Sequence, residues 1–231
     1  MNYLSLYFDA FPFQSWASNG YHRHRKTKLY PTQSGVAGII CSASGNYINK
    51  ESKKESIVFL KKINKGKFYS ILLHNDNIII DYQTIGTNYK YDQVYNAQGE
   101  KYKGTVVVEK EYLVNAITAV IIEYDDKNFI EEVCSSFKNP KNILSIGRSN
   151  CLPCSPIFNS INSTFNEAFI SLVNRVNEDN IIVGDDTIIK IVSSSIDGHA
   201  VNDVMVGYQE YESRLVKEED KTLNEWKKQL N

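Results

Sequence analysis

The sequence predicts an α+β protein of the ferredoxin-like class, and three observations lead to this prediction. Residues 2–8 alternate so that Leu4, Leu6 and Phe8 share one face, which is the period of a half-buried strand. A helical pattern follows at 34–45, and a second helix with two strand candidates follows at 53–82. The order β, α, β, β, continued by a further strand and helix, is that of a ferredoxin-like unit.

The first helix carries its own start and stop signals. Thr32 or Ser34 can cap its N-terminus, and Gly45 can supply a left-handed C-terminal stop. Apolar residues recur between them at helical spacing, namely Val36, Ile39, Ile40 and Ala43. Free backbone N–H groups at such a helix start can bind a phosphate, although most capped helices hold no ligand.

The remaining elements are predicted from shorter signals. Strands are expected at 68–73, 78–82 and 112–124, and helices at 127–137 and 166–176. The polar, tyrosine-rich stretch 83–109, with a turn at Ala97-Gln98-Gly99, predicts a protruding hairpin. Apolar strings after Asn177 predict a small antiparallel sheet that ends in a helix. We therefore divide the chain near Asn139 into a domain at 1–138, which carries the hairpin, and a β-rich region at 139–231.

The charge distribution points to a local polyanion site. The formal net charge is -1, which does not fit a protein whose whole surface binds nucleic acid. Between Ala10 and Lys50, however, there is no acidic residue. This stretch contains a basic cluster with an aromatic residue, namely Tyr21, His22, Arg23, His24, Arg25, Lys26 and Lys28. Such a composition pairs phosphate contacts with base stacking and favours RNA.

Other function classes find little support in the sequence. The N-terminal residues read as a strand and not as a signal peptide, and no stretch reaches 18 uninterrupted apolar residues, so we expect a cytoplasmic protein without a membrane partner. Cys151 and Cys154 form a CxxC without a second pair, and they are interpreted as ordinary thiols. Phosphate-loop, zinc-protease and serine-hydrolase motifs do not occur, and no metal or cofactor is expected.

Two alternatives to an RNA grip remain open at this point. The basic segment could be a solvated charged loop, as most charge runs are. It could also belong to a metal-independent ribonuclease, in which His22 or His24 acts as a general base on a 2′-hydroxyl group.

Several motifs, in this order along the chain, resemble the CasD family, the fifth Cas protein family, of type I-E CRISPR Cascade complexes. They are Phe13-Gln14-Ser15-Trp16, Pro31 to Ile40 with Ala43 and Gly45, Asp81-Tyr82-Gln83-Thr84, Glu111 to Ala116, Gly147-Arg148-Ser149-Asn150-Cys151, and Val201 to Val204 with Tyr211 and Arg214. The chain departs from the family pattern at Ala17, Ser149 and Pro153.

The resemblance implies an RNA-recognition-like domain of the RAMP superfamily, with the hairpin as a thumb. It implies a non-catalytic subunit that caps the 5′ handle of the CRISPR RNA in antiviral defence. The implied partners are the backbone subunits (CasC), the large subunit (CasA) and, indirectly, target DNA. In type I-C relatives the equivalent subunit is itself the precursor nuclease, so that alternative stays open.

Together, the residues and the resemblance give the candidate contacts. For RNA these are Gln14, Ser15, Trp16, Tyr21, His22, Arg23, His24, Arg25, Lys26, Lys28, Thr32, Ser34 and Arg148. For a partner at the hairpin they are Tyr89, Tyr91, Tyr95, Lys101, Tyr102 and Lys103.

Overall fold

The computed structural model describes residues 1–17, 24–46, 53–86, 105–178 and 190–194. Part of the predicted basic loop and the predicted hairpin tip lie outside these residues, as does the chain after Ser194. The candidate contacts outside the described residues are Tyr21, His22, Arg23, Tyr89, Tyr91, Tyr95, Lys101, Tyr102 and Lys103.

The described residues form eleven strands and four helices. The strands are β1 Asn2–Asp9, β2 Phe13–Gln14, β3 Trp16–Ala17, β4 His24–Arg25, β5 Thr27–Lys28, β6 Lys67–His74, β7 Asn77–Gly86, β8 Thr105–Val114, β9 Ile117–Tyr124, β10 Phe158–Asn162 and β11 Lys190–Ser194. The helices are α1 Gln33–Ser44, α2 Lys53–Ile63, α3 Lys127–Lys138 and α4 Phe165–Glu178.

The main sheet has the ferredoxin-like strand order. Its five strands run in the order β10-β1-β9-β6-β11, and every neighbouring pair is antiparallel. In this sheet β1, β6, β9 and β10 take the places of the first to fourth ferredoxin strands, with α1 and α3 as the two crossover helices. The predicted α+β class is therefore confirmed.

The first helix forms as its local signals predict. The hydroxyl of Thr32 accepts a hydrogen bond from the Gly35 N–H at 3.2 Å, and Gly45 ends the helix at φ 75°. The side chains of Val36 and Ile40 are buried in the core below the helix. The cap at one end and the left-handed glycine at the other thus define α1 within one residue of its prediction.

Helices cover both faces of the main sheet. On one face, Leu4, Leu6 and Phe8 of β1 pack with α1, α2 and α3. On the other face, Tyr7 and Ile71 pack with the buried side chains of α4. RNA-recognition domains stack bases on an open sheet face. Because α4 occupies that face here, the described structure leaves no open platform of this kind.

A second sheet is built around β8. The whole length of β8 pairs with β7 on one edge, so that β2 and β4 share the other edge. The single strand predicted at 112–124 is in fact two strands in different sheets, because Asn115 adopts a left-handed φ of 48° between β8 and β9. Its side chain donates to Asp76 at 2.6 Å, and this hydrogen bond lowers the pKa of the Asp76 carboxyl.

Two further predictions are refined by the strand pairing. The segment 9–33, for which the sequence predicts no helix or strand before α1, forms four two-residue strands in its described residues, because its backbone pairs with β8 and with itself. In the C-terminal region, β10 and β11 join the two edges of the main sheet. The strands on both sides of Asn139 thus share one sheet, and the other strands predicted after Asn177 lie outside the described residues.

The burial of α4 predicts a difference between two neighbouring substitutions. Leu172 is fully buried against the sheet, so Leu172→Ala should lower the free energy of unfolding by about 2–5 kcal/mol. Ile170→Ala is the matched control, since its side chain is 44% exposed and its loss should cost less than about 1 kcal/mol. Urea denaturation measures both. Equal small effects would show that α4 does not pack on the sheet.

Candidate nucleic-acid interface

Gln14 connects the chain that precedes the basic segment, residues 21–28, to the main sheet. Its fully buried side-chain amide donates to the carbonyl of Phe8 at 2.8 Å and also to the carbonyl of Ala116. Its amide oxygen accepts from the Trp16 indole at 3.2 Å and from the Thr118 hydroxyl at 3.0 Å. The amide is therefore saturated by the chain itself. The predicted RNA contact at Gln14 is corrected to a role inside the core.

Trp16 is also a core residue and not a stacking platform. Its side chain is fully buried and meets Phe8 edge to face, with ring centroids 5.0 Å apart. A Cβ atom at Gly35 would lie 3.1 Å from the Trp16 ring and 2.9 Å from the Thr32 hydroxyl. The absence of a side chain at Gly35 thus lets α1 begin directly on the indole. Trp16, a candidate RNA contact, is therefore corrected to a residue of the core.

Two further candidate contacts, Thr32 before α1 and Ser15 between β2 and β3, are also used by the chain itself. Thr32 is buried, and its hydroxyl caps the helix. Ser15 is buried as well, and its hydroxyl donates to the carbonyl of Glu111 at 3.3 Å. Of the candidate contacts near the helix start, Ser34 is the one that keeps partial exposure. The predicted phosphate site at this helix is thus reduced to Ser34, while Thr32 and Ser15 hold the chain in place.

The described part of the basic segment lies beside β8. His24 and Arg25 pair in parallel with Glu109 and Lys110. The His24 Nδ1 atom lies 2.8 Å from the Glu109 carboxylate, and the Thr27 N–H donates to the Glu111 carboxylate at 3.0 Å. The acidic residues of β8 thus bind one imidazole and one backbone N–H group of this segment.

Two cations of the segment remain available for a ligand. The side chains of Arg25 and Lys26 are exposed, and neither forms an ion pair within the described ranges 1–17, 24–46, 53–86, 105–178 and 190–194. Lys28 is half-buried, and its ammonium group lies 5.6 Å from the centre of the Tyr30 ring. The exposed positive charge is therefore concentrated at Arg25 and Lys26, held on backbone that β8 fixes.

The turn at 146–151 closes this region from the other side. The guanidinium group of Arg148 lies over the Tyr112 ring, 4.5 Å from its centre, and its Nη2 donates to the carbonyl of Arg25 at 2.9 Å. The structure thus brings Arg148 to the basic segment, more than 120 residues away in sequence. Sequence reasoning missed Tyr112, Glu109 and Glu111, whose roles depend on the position of β8 and leave no local signal.

The two cysteines near this turn, Cys151 and Cys154, differ in burial. Burial raises the pKa of the Cys151 thiol, as it raises that of Cys41 to about 11. Cys154 is exposed, and its sulfur accepts a hydrogen bond from the Phe11 N–H at 3.1 Å. Within the part of the chain that the structure describes, no three His, Cys, Asp or Glu side chains are grouped as a metal would require.

The base of the predicted hairpin exposes apolar side chains. Strands β7 and β8 pair from Asn77–Val114 to Gly86–Thr105, and residues 87–104 of the predicted hairpin lie outside the described residues. On β7, Ile80 and Tyr82 are 61% and 63% exposed, and Ile78 and Ile79 are also open to solvent. Because consecutive residues of a strand point to opposite faces, both faces of β7 lie outside the core.

The comparison with protein families decides where this chain belongs. The family described as CRISPR-associated protein (Cas_Cas5) matches residues 10–228 of the 231 in the chain. The chain belongs to the Cas_Cas5 family. A search of curated proteins finds no match.

Solved structures agree with this Cas_Cas5 fold. A chain described as "CRISPR RNA-guided surveillance complex" is 24% identical, with a TM-score of 0.55 over 68% of this chain and 61% of that chain. A second structure, described as "Crystal structure of Cas protein", is 19% identical, with a TM-score of 0.50 over 72% of this chain and 69% of its own. The alignment thus spans less than two thirds of the first of these relatives.

None of the helices in the described residues is long and apolar enough to cross a membrane.

The saturated amide of Gln14 predicts a stability effect. Gln14→Leu keeps the size of the side chain but leaves two carbonyls, an indole N–H and a hydroxyl without their partner, so the free energy of unfolding should fall by about 3 kcal/mol. The control is Gln83→Leu, whose amide bonds Asp81 and Lys110 on the part-exposed second sheet and should cost less than about 1 kcal/mol. Thermal and urea unfolding measure both. A mild effect at Gln14 would contradict its assignment to the core.

Proposed function

We propose that this chain is a non-catalytic RNA-binding subunit of a type I-E, CasD-like CRISPR surveillance complex, and that it caps the 5′ handle of the CRISPR RNA. The observation that carries the proposal is the pair of exposed cations at Arg25 and Lys26, which lack carboxylate partners in the described residues and stand on backbone fixed by β8. Fixed cations of this kind favour a single-stranded phosphate backbone.

The position of the site supports a grip at the edge of the protein. Helix α4 covers the sheet face on which RNA-recognition domains stack bases, and the aromatic side chain of Trp16 is buried. Phosphate contacts from the basic segment are the remaining mode of binding that the described residues favour. The handle would then lie along β4 and β5, with Arg23 continuing the same run of charge in sequence.

The hairpin base supports a protein partner next to this site. Exposed apolar residues in succession on an edge strand mark an interaction surface, because such a strand is otherwise prone to aggregate. Ile80 and Tyr82 would pack against a neighbouring backbone subunit (CasC), while the large subunit (CasA) and, through it, target DNA would approach the handle. The complex would assemble in the cytoplasm.

Removal of the cations tests the RNA grip. The variant R23A/R25A/K26A should bind the guide RNA of its own locus more weakly, and the log–log slope of affinity against salt should fall by about 2, at about 0.7 per lost phosphate contact. The matched control K61A/K65A/K67A removes three exposed lysines between the last turn of α2 and the start of β6. It should leave the slope unchanged. Fluorescence anisotropy measures both, and equal slopes for both variants would refute the grip.

A cleavage assay with the purified protein distinguishes a non-catalytic RNA-binding subunit from a nuclease. We expect no cleavage of precursor repeat RNA, with or without metal, and His24→Ala should change nothing in that assay. Metal-independent cutting that His22→Ala or His24→Ala slows by about 100-fold, with nearly normal binding, would replace the proposed function by the nuclease.

Deletion of Asn88 to Lys103 tests the hairpin. Strand β7 ends at Gly86 and strand β8 begins at Thr105, so the deletion removes no residue of either strand. The core should therefore keep its circular dichroism spectrum and its unfolding midpoint. Co-purification with the other subunits and guide RNA should nevertheless be lost or strongly reduced. Loss of the fold would show that the hairpin belongs to the core, and unchanged assembly would refute its role in partner binding.

A further inference from the structure

We infer that Arg148 is a positioning residue, which holds the basic segment against β8 and does not itself contact phosphate. This inference rests on the proposed function, because the segment that it positions is the one proposed to bind RNA. The charge of Arg148 alone suggests a direct RNA contact. Its guanidinium group, however, already contacts the Tyr112 ring and the Arg25 carbonyl.

The protein itself occupies much of the Arg148 side chain. The Cζ atom of the guanidinium lies 4.5 Å from the centre of the Tyr112 ring, and Nη2 donates to the carbonyl of Arg25 at 2.9 Å. The Nη1 atom is shielded from solvent and has no hydrogen-bond partner among the described residues. A phosphate could reach Nη1 only if the side chain left this position, and that movement would break the contact with the Arg25 backbone.

The turn that carries Arg148 is fixed at both ends. The Cys151 N–H donates to the Arg148 carbonyl at 2.9 Å, and the Ile146 N–H donates to the Cys151 carbonyl at 2.7 Å. Gly147 has a φ of 84°, and a Cβ atom there would lie 1.5 Å from the carbonyl oxygen of Ser15. Only glycine permits this contact. The turn is thereby pressed onto Ser15, directly before β3, and β3 pairs with β5 of the basic segment.

The basic segment needs such support because its own pairing is short. Within the described part of the segment, strand β4 pairs with β8 over two residues, His24 and Arg25. The carbonyl of Arg25 is bound by Arg148 while its side chain points to solvent, so Arg148 fixes the backbone from which the proposed contact projects. Lysine cannot replace this role, because it lacks the planar fork that stacks on a ring and donates from its end.

Limited proteolysis without RNA tests the positioning directly. Trypsin cleaves after Arg25, Lys26 and Lys28, and the rate follows the population in which the segment is released. Both Arg148→Ala and Arg148→Lys should speed cleavage at these sites about tenfold or more, because a charge-assisted hydrogen bond and a ring contact are lost. Lys138→Ala, the control, removes an exposed lysine elsewhere and should not change the rate. Unchanged cleavage in both Arg148 variants would overturn the inference.

RNA binding provides the second arm. Arg148→Lys should weaken binding as much as Arg148→Ala, and neither should weaken it further in an R25A/K26A background, because the positioned cations are then absent. The inference fails if Arg148→Lys instead binds like the wild type and Arg148→Ala weakens binding further in the R25A/K26A background. Arg148 would then be a direct contact. If the wild type binds no guide RNA, the proposed function fails, whereas the proteolysis result still decides the role of Arg148.

Discussion

The buried amide of Gln14 determines where the chain leaves the main sheet. It joins the end of strand β1, at the Phe8 carbonyl, to the residue before strand β9, at the Ala116 carbonyl. It also accepts a hydrogen bond from the Trp16 indole and so orients that ring. An amide in an apolar core is stable only when its hydrogen bonds are made, so this position specifies one path for the chain after Asp9. The basic segment, α1 and the second sheet all follow from that path.

The second consequence concerns β8, which belongs to the second sheet and leads directly into β9 of the main sheet. Asn115 turns the chain between them at a left-handed φ of 48°, and its N–H donates to the carbonyl of Pro12 at 3.0 Å, so that β8 lies outside the main sheet, where it pairs with β4 of the basic segment. The carboxylates of Glu109 and Glu111 then bind His24 and the Thr27 N–H, not the exposed cations. Acidic residues close to a proposed RNA site are thus compatible with it, because their partners are already fixed.

Sequence reasoning succeeded where the signal is local and failed where a partner decides the structure. Helix α1 could be predicted because Thr32 and Gly45 define its ends within the helix itself. Strand β10 could not, since its sequence FNSIN has no clear alternation and pairs with β1 more than 150 residues away. The role of Gln14 was wrong for the same reason: a polar residue beside a tryptophan and a basic run resembles a ligand contact until its carbonyl partners are known.

The placement of the candidate site follows from the burial of the sheet. With α1 to α3 on one face and α4 on the other, the five strands offer no aromatic surface to bases in the described residues, and binding is left to backbone-positioned charge. Charge on an unpaired loop would lose much of its binding energy to the ordering of that loop. Pairing of His24 and Arg25 with β8, contact of Arg148 with the Arg25 carbonyl, and the approach of Gly147 to Ser15 order the segment before any ligand arrives. The folding energy of the core thus supports the geometry of the proposed site, in part through residues that would not themselves contact RNA.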